Sequence, residues 1–238
     1  MQGLLDREER KRRVWTLAAL AVGSTLLWQT YWGGLLLYPF TILATWFHEM
    51  GHGIAAMLTG GHFERLAIYP DGSGVALSRM PADASAFSHA CIAAAGPLGP
   101  PVAGAALIVA SRSGRATRIA LGVLTGAVLL STLIWVRSVT GWLVLPGIGL
   151  ALLVVLWRGS SRVRDFTVQL LGVQACISCW RDTGYLFSDG GFVAGQPQRS
   201  DTAAIAESLV LPYWFWGGAI SVLIVALLAA SLRYALRR

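Results

Sequence analysis

Long apolar runs separated by short polar stretches are the feature that most constrains the fold of this chain. Of its 238 residues, 55% are hydrophobic and 13% are charged, whereas a soluble domain carries about a quarter charged residues. Seven runs are candidate membrane spans, and they cover residues 14–32, 36–58, 86–110, 119–136, 142–157, 166–187 and 209–232. The sequence therefore predicts an all-α polytopic membrane protein, with about six or seven transmembrane helices in a single domain over residues 1–238.

Polar segments between these runs predict the remaining local structure. Residues 1–13 form a basic N-terminal tail, and the apolar run that follows is too long for a cleaved signal peptide. Segment 59–85 contains the alternating runs FERLAIY and GVALSRM around PDGSG, which predicts a small β-hairpin after the second span. RSVTG at 137–141 is short enough to join two spans as a tight helical hairpin, and 188–208 is predicted to be a polar loop.

Charge and cysteine content narrow the possible functions. The net charge of +7 comes from short loops and the chain ends, where Lys and Arg contact lipid headgroups rather than nucleic acid. The Lys and Arg residues outside the spans divide nine to nine between the two sides of the membrane. Only the basic N-terminus therefore favours an orientation, with the N-terminus in the cytoplasm. The three cysteines lie in apolar segments, and Cys176 and Cys179 are interpreted as packing residues rather than a metal or redox pair.

The sequence WFHEMGHG, residues 46–53, places ionisable groups inside an apolar run. His48 and His52 share one helical face, so their ring nitrogens can converge on one Zn²⁺, with Glu49 as general base. Zinc lowers the pKa of bound water to about 7, which serves hydrolysis of a polarised carbonyl, most often a peptide bond. One ionisable residue at membrane depth costs at least about 2.5–3.5 kcal/mol. The cluster therefore indicates function, although a polar helix contact or a structural metal site is the alternative.

HEMGH in a transmembrane helix resembles the site-2 protease family of intramembrane zinc metallopeptidases. Gly51, TGG after the helix and AAAGPLGP at 93–100 are similar to smaller bacterial members, and the resemblance extends from residue 36 to about residue 216. It implies a metalloendopeptidase with one Zn²⁺ per chain that cleaves membrane-anchored proteins within the bilayer. It also implies an integral protein of the bacterial inner membrane. The substrate's identity and the oligomeric state stay open.

The resemblance implies a third ligand, an aspartate on a later helix, although neither LDG nor NPDG occurs in full. We expect Asp182 to be this ligand, because Gln174, Ser178 and Asp182 form a polar stripe in the sixth span. The alternative for Asp182 is a salt bridge, for example to Arg137. Gln174 stands where related bacterial sequences have Asn, which implies a role in holding the substrate or the oxyanion.

Other polar residues receive a structural interpretation, with a metal contact as the alternative for each. Asp71 in YPDG is interpreted as a turn residue, and Asp201 as the N-cap of the following helix, a role that Ser200 also suits. RSD-x-A, which contains Asp201, also resembles a family feature. His62 and His89 are interpreted as polar or interfacial residues.

Two further expectations concern function. Gly51, Gly53 and GPLGPP at 96–101 are predicted to break helices and open a cavity, and the hairpin is predicted to offer an edge strand to an unwound substrate. The main alternative function is a catalytically inactive zinc-binding membrane protein that binds transmembrane partners. Glu49 argues against it, because metal binding alone does not need this carboxylate. A transporter with a midplane metal site is the third class, but polar groups concentrate in only two spans.

Overall fold

The computed structural model describes residues 2–236 and is mainly helical. Its helices are α1 (Gln2–Trp28), α2 (Tyr31–Leu58), α3 (Ala86–Ala110), α4 (Gly114–Ile134), α5 (Val139–Arg158), α6 (Ser161–Arg181), α7 (Thr183–Leu186), α8 (Asp201–Ser208) and α9 (Tyr213–Leu236). Its strands are β1 (His62–Ile68), β2 (Gly74–Arg79), β3 (Gly190–Val193) and β4 (Gln196–Arg199). Each of the seven apolar runs overlaps one long helix, but the run 14–32 extends into the start of α2 and the run 166–187 extends beyond α6 to include α7.

Four helices in the described part of the chain are long and apolar enough to cross a membrane: α3, α4, α5 and α9. The count of six or seven spanning helices therefore stays a prediction. The other long helices carry more polar residues: α1 starts in charged sequence, α2 contains HEMGH and α6 starts SRVRD. The predicted tail 1–13 is helical from Gln2 onward as the first part of α1, and Met1 lies outside the described residues.

The close packing of α2 against α3 is central to the architecture. A Cβ atom on Gly51 would overlap the carbonyl of Ala95, and one on Gly99 would overlap the carbonyl of Phe47. Absence of side chains at these positions lets the two backbones approach closely, as small residues do in membrane helix pairs. The predicted helix breaks are wrong, because α3 stays helical through its three prolines. The glycines bring two continuous helices together.

The largest core cluster joins α2, the first hairpin and the helices α4, α5 and α6. Its fully buried members include Ile42, Leu66, Leu121, Val128 and Leu145. α4 and α5 pack as the tight helical hairpin that the short RSVTG connection predicts. This core holds the hairpin against α2.

The first hairpin agrees with the prediction from its sequence. β1 and β2 are antiparallel, and the turn contains Gly72 at φ +88°, a conformation that favours glycine. Asp71 is the turn residue, because its Oδ1 accepts hydrogen bonds from the Ser73 N–H at 2.9 Å and hydroxyl at 2.7 Å. Leu66 on β1 donates its N–H to the Trp135 carbonyl and accepts from the Arg137 N–H, both at 2.9 Å. The outer edge of β1 is therefore occupied.

Segment 188–208 is more ordered than the polar loop predicted from its composition. β3 and β4 form a second antiparallel hairpin, whose turn contains Ala194 at φ 51° and Gly195 at φ 75°. Helix α8 follows directly. Ser200 is its N-cap and accepts a hydrogen bond from the Ala203 N–H at 3.1 Å.

Candidate metal centre

His48 and His52 lie one turn apart on α2 and face the first residue of α8. The Nε2 atom of His48 is 3.0 Å from Oδ2 of Asp201, and the Nε2 atom of His52 is 3.2 Å from Oδ1 of the same carboxylate. One donor atom from each residue lies within 4.8 Å of the other two. The three side chains are only 12–20% exposed. The fold therefore brings two imidazoles and one carboxylate into a largely buried cluster.

The hydrogen bonding of this cluster fits a bound cation. Nδ1 of His52 is 2.8 Å from the carbonyl oxygen of Ile92. Because a carbonyl can only accept, Nδ1 of His52 donates this hydrogen bond, so Nε2 is the ring nitrogen that would ligate a metal ion. Nε2 of each histidine faces a different carboxylate oxygen of Asp201, so two potential nitrogen ligands and two potential oxygen ligands converge. A divalent metal ion would satisfy these acceptor atoms together.

Gly96 on α3 keeps space open beside the histidines. A Cβ atom at this position would overlap Nε2 of His52 and would lie 2.7 Å from Nε2 of His48. Gly96 belongs to the AAAGPLGP segment that marked the family resemblance. Its physical role is to bring α3 close to α2 without filling the volume in front of the two ring nitrogens.

Glu49 lies beside the cluster and is only 5% exposed. It faces β2, since a Cβ atom on Gly74 would lie 2.7 Å from its Oε1. The cluster and Glu49 line one cavity of about 710 Å³, bounded on one side by β2 and on another by the second hairpin. Residues from these walls include Gly74, Ala76, Ser78, Val193, Pro197 and Gln198. This volume is typical of a ligand or substrate site.

Asp201 is positioned by hydrogen bonds from its two neighbours. The hydroxyl of Ser200 donates to the Ser188 carbonyl at 2.6 Å, and that of Thr202 donates to the Leu186 carbonyl at 2.9 Å. Both hydroxyl residues are fully buried. Burial opposes ionisation of Asp201, but the adjacent histidines outweigh burial and hold its pKa below the usual range. The segment therefore presents an ionised carboxylate to the histidines.

The expectation for the third ligand needs correction, because Asp201 and not Asp182 faces His48 and His52. Asp182 follows the last residue of α6, its N–H donates to the Ser178 carbonyl at 3.0 Å, and its side chain is exposed. Among residues 2–236, it is not part of the cavity lining or of the candidate metal group. Asp182 also lies beyond the end of α6, at Arg181, and so outside the helical span in which it was predicted.

Gln174 is also engaged elsewhere. Its Nε2 donates to Oγ of Ser24 at 3.0 Å, and its Oε1 accepts from Nε1 of Trp28 at 3.3 Å. Both partners belong to α1. The expected substrate or oxyanion role is therefore not supported, because this buried amide connects α6 to α1 instead of facing the cavity.

The remaining candidates divide into distant and nearby residues. His62 is an exposed residue at the start of β1, whereas His89 lines the cavity without joining the ligand cluster. Sequence reasoning missed the cavity residues Tyr185 and Arg199. The Tyr185 hydroxyl donates to the Arg199 carbonyl at 3.1 Å, and Arg199 pairs with Glu207 at 2.9 Å. No sequence motif around either residue predicts a place in the cavity, because only the tertiary fold brings them there.

Comparison with known proteins adds one assignment. No curated protein and no solved structure matches this chain. The family model described as Peptidase M50B-like matches residues 17–231, a range that contains all four residues of the centre. With four helices apolar enough to cross a bilayer, this match supports an integral membrane protein. The chain belongs to the Peptidase M50B-like family.

Proposed function

We propose that this protein is an intramembrane zinc metalloendopeptidase that hydrolyses peptide bonds of membrane-anchored proteins within or near the bilayer. The observation that carries the proposal is the meeting of His48, His52 and Asp201 beside Glu49 in one cavity. Nε2 of each histidine and a carboxylate oxygen of Asp201 would hold one Zn²⁺, a ligand number typical of catalytic sites. When bound, zinc lowers the pKa of a coordinated water and polarises the substrate carbonyl.

Glu49 is proposed as the general base. A carboxylate oxygen of Glu49 takes a proton from the attacking water, and the same oxygen later returns a proton to the nitrogen of the leaving amine. Its position on α2, next to His48, keeps the carboxylate beside the ligand cluster. Because Glu49 is almost completely buried, its carboxyl group is shielded from proton exchange with bulk water.

A substrate must present an extended backbone, because a helix hides its peptide bonds. Leu66 directs its backbone groups away from β2, towards residues 135 and 137, and it is paired with Ala76. In an antiparallel pair of this kind, the opposite residue also directs its N–H and C=O outward. Gly74, Ala76 and Ser78 therefore direct backbone groups away from β1, and all three line the cavity. The backbone of Ala76 also hydrogen-bonds to the Glu49 carboxylate. We expect the substrate to add a strand at this edge of β2.

The experiment that tests the proposal measures zinc content and proteolysis together. Wild type and Glu49→Gln are purified, and cleavage of a single-span test protein with helix-breaking residues is followed in liposomes. We expect Glu49→Gln to retain zinc while its cleavage rate falls by about 10²–10⁴-fold, the usual contribution of general base catalysis. Glu207→Gln is the control, because Glu207 also lines the cavity but has no proposed chemical role.

The outcomes separate the candidate functions. Full activity in Glu49→Gln would exclude this residue as the base. Zinc bound by wild type without cleavage of any single-span substrate tested would favour the non-proteolytic, zinc-binding alternative. Absence of zinc from reconstituted wild type would contradict both functions.

The edge of β2 that lines the cavity has its own test. Ser78→Pro removes an N–H from this edge, whereas Ser78→Ala removes the hydroxyl and keeps the N–H. We expect the proline variant to have a raised KM with zinc retained and the alanine variant to resemble wild type. Equal KM values for the two variants would contradict strand addition at β2.

A further inference from the structure

A second cavity, of about 570 Å³, lies between α1 and α9 and shares no lining residue with the cavity of the metal centre. α1 packs on α6 and α9 packs on α3, so a groove remains between α1 and α9. Its lining is almost entirely apolar and includes Leu17, Ala21, Val173, Ile224, Val225 and Leu228. The volume falls in the range of about 300–1,000 Å³ that is usual for small-molecule sites.

One end of this groove lies where three helices change from apolar to basic sequence. Val14 and Leu232 line the groove, and Arg13 directly precedes Val14. The Arg13 guanidinium donates from Nη1 to the Ala235 carbonyl at 3.1 Å and from Nη2 to the Arg112 carbonyl at 3.3 Å. Arg13, within the first half of α1, thus connects α1 to the last turn of α9 and to the segment that directly follows α3. A shared boundary between apolar and basic residues is typical of the membrane interface.

This end of the groove has a strongly positive character. In the sequence, the basic residues at or within two positions of Arg13, Arg112 and Ala235 also include Lys11, Arg12, Arg233 and Arg237. Of these, Lys11 pairs with Glu8 at 3.3 Å. The guanidinium of Arg112 lies 4.4 Å from the centre of the Tyr234 ring. Arginines near the ends of membrane helices attract anionic headgroups, and basic pockets between such helices bind them.

We propose that the groove between α1 and α9 binds one acyl chain of an anionic phospholipid, whose headgroup lies at Arg13, Arg112 and Arg233. A chain that enters at the basic end runs along the apolar walls in the same direction as a lipid of the surrounding leaflet. Hydrocarbon in the groove restores dispersion contacts that an empty groove would lose. The positive end favours a negatively charged headgroup over a zwitterionic one.

The groove is tested by a pair of matched substitutions on α9. Val225 lines the groove and is 66% exposed, whereas Val222 is 71% exposed and lies outside the groove. Tryptophan fits at both exposed positions, but only Val225→Trp fills the groove. Delipidated protein is incubated with equal amounts of phosphatidylglycerol and phosphatidylcholine, and retained lipid is counted by mass spectrometry. We expect wild type and Val222→Trp to retain phosphatidylglycerol preferentially and Val225→Trp to lose it.

The headgroup contact is tested by Arg233→Gln. Loss of one basic residue near the membrane surface should weaken phosphatidylglycerol retention about fivefold, while Arg158→Gln at the end of α5 should leave it unchanged. Equal retention of both lipids by wild type would contradict the preference for an anionic headgroup. Unchanged retention of phosphatidylglycerol by Val225→Trp would contradict binding of the acyl chain in the groove. A shift from dimer to monomer in Val225→Trp, with lipid retention unchanged, would instead assign the groove to a second copy of the chain.

Discussion

Two long helices of this protein, α2 and α6, each carry polar side chains one turn apart, yet the two sets have different roles. On α2, His48 and His52 face the space in front of Gly96 and the carboxylate of Asp201. On α6, Gln174 faces Ser24 and Trp28 of α1. The same helical spacing therefore leads to a candidate metal centre in one case and to a helix contact in the other. The element that packs opposite the stripe decides its role.

The two sets also differ in the capacity that they retain for binding a ligand. Both ends of the Gln174 amide have partners, so this group has little capacity left for a ligand. In the α2 cluster, Nε2 of His48 and Nε2 of His52 lie 3.0 Å and 3.2 Å from the two carboxylate oxygens of Asp201. One donor atom from each of the three residues could ligate a divalent cation, so the α2 cluster has a capacity for a ligand that Gln174 lacks.

The strongest test of this contrast exchanges the two aspartates for alanine. Asp201→Ala should reduce zinc in purified protein from about one ion per chain to near zero, because only two protein ligands remain. Asp182→Ala should keep the zinc content of wild type. Metal content is measured by atomic emission in detergent. Zinc lost in Asp182→Ala and kept in Asp201→Ala would reverse the assignment and return the ligand to α6.

A smaller effect is expected from Gly96→Ala. The added methyl group would occupy space beside both Nε2 atoms, and such overpacking costs about 1–3 kcal/mol. Zinc retention against a competing chelator should weaken about tenfold. Gly126→Ala on α4 is the control, because a Cβ atom there meets nothing within 4 Å. Equal chelator resistance in the two variants would show that α3 does not limit the space at the histidines.

Removal of the α8 cap should have a still smaller effect on zinc. Ser200→Ala removes the N-cap hydrogen bond and the bond to Ser188, and loss of a cap costs about 1 kcal/mol. We expect zinc affinity to fall about fivefold, because the segment that positions Asp201 becomes less ordered. Ser160→Ala removes the equivalent cap of α6 and should leave zinc affinity unchanged. Titration with a fluorescent zinc indicator compares the two variants.

Gln174→Leu should have no effect on zinc. The substitution leaves Trp28 Nε1 and Ser24 Oγ without their partner, so we expect a loss of stability of about 1–3 kcal/mol. Thermal unfolding in detergent measures this loss, and zinc content and cleavage rate per folded molecule should match wild type. A rate reduced in folded, zinc-loaded protein would restore a substrate role for Gln174.

Local sequence signals predicted much of the fold. Apolar periodicity marked seven helical segments, and Asp-Gly between alternating residues marked the first hairpin, because both signals act over a few neighbouring residues. The second hairpin was missed since its strands are only four residues long and polar. The sequence around Asp201 did indicate a role other than capping. Ser200 alone serves as the N-cap of α8, so the carboxylate of Asp201 is available for another contact.

The sequence by itself determined the helical segments, the first hairpin and the presence of His48, Glu49 and His52 on one turn of α2. Helix periodicity and turn chemistry are local properties, so no distant contact is needed to read them. Only the tertiary structure decided which aspartate meets the histidines. Asp201 lies about 150 positions after them, and its placement depends on the bonds of Ser200 and Thr202 to the segment after α6. Contacts between such distant segments arise from packing, which no short pattern encodes.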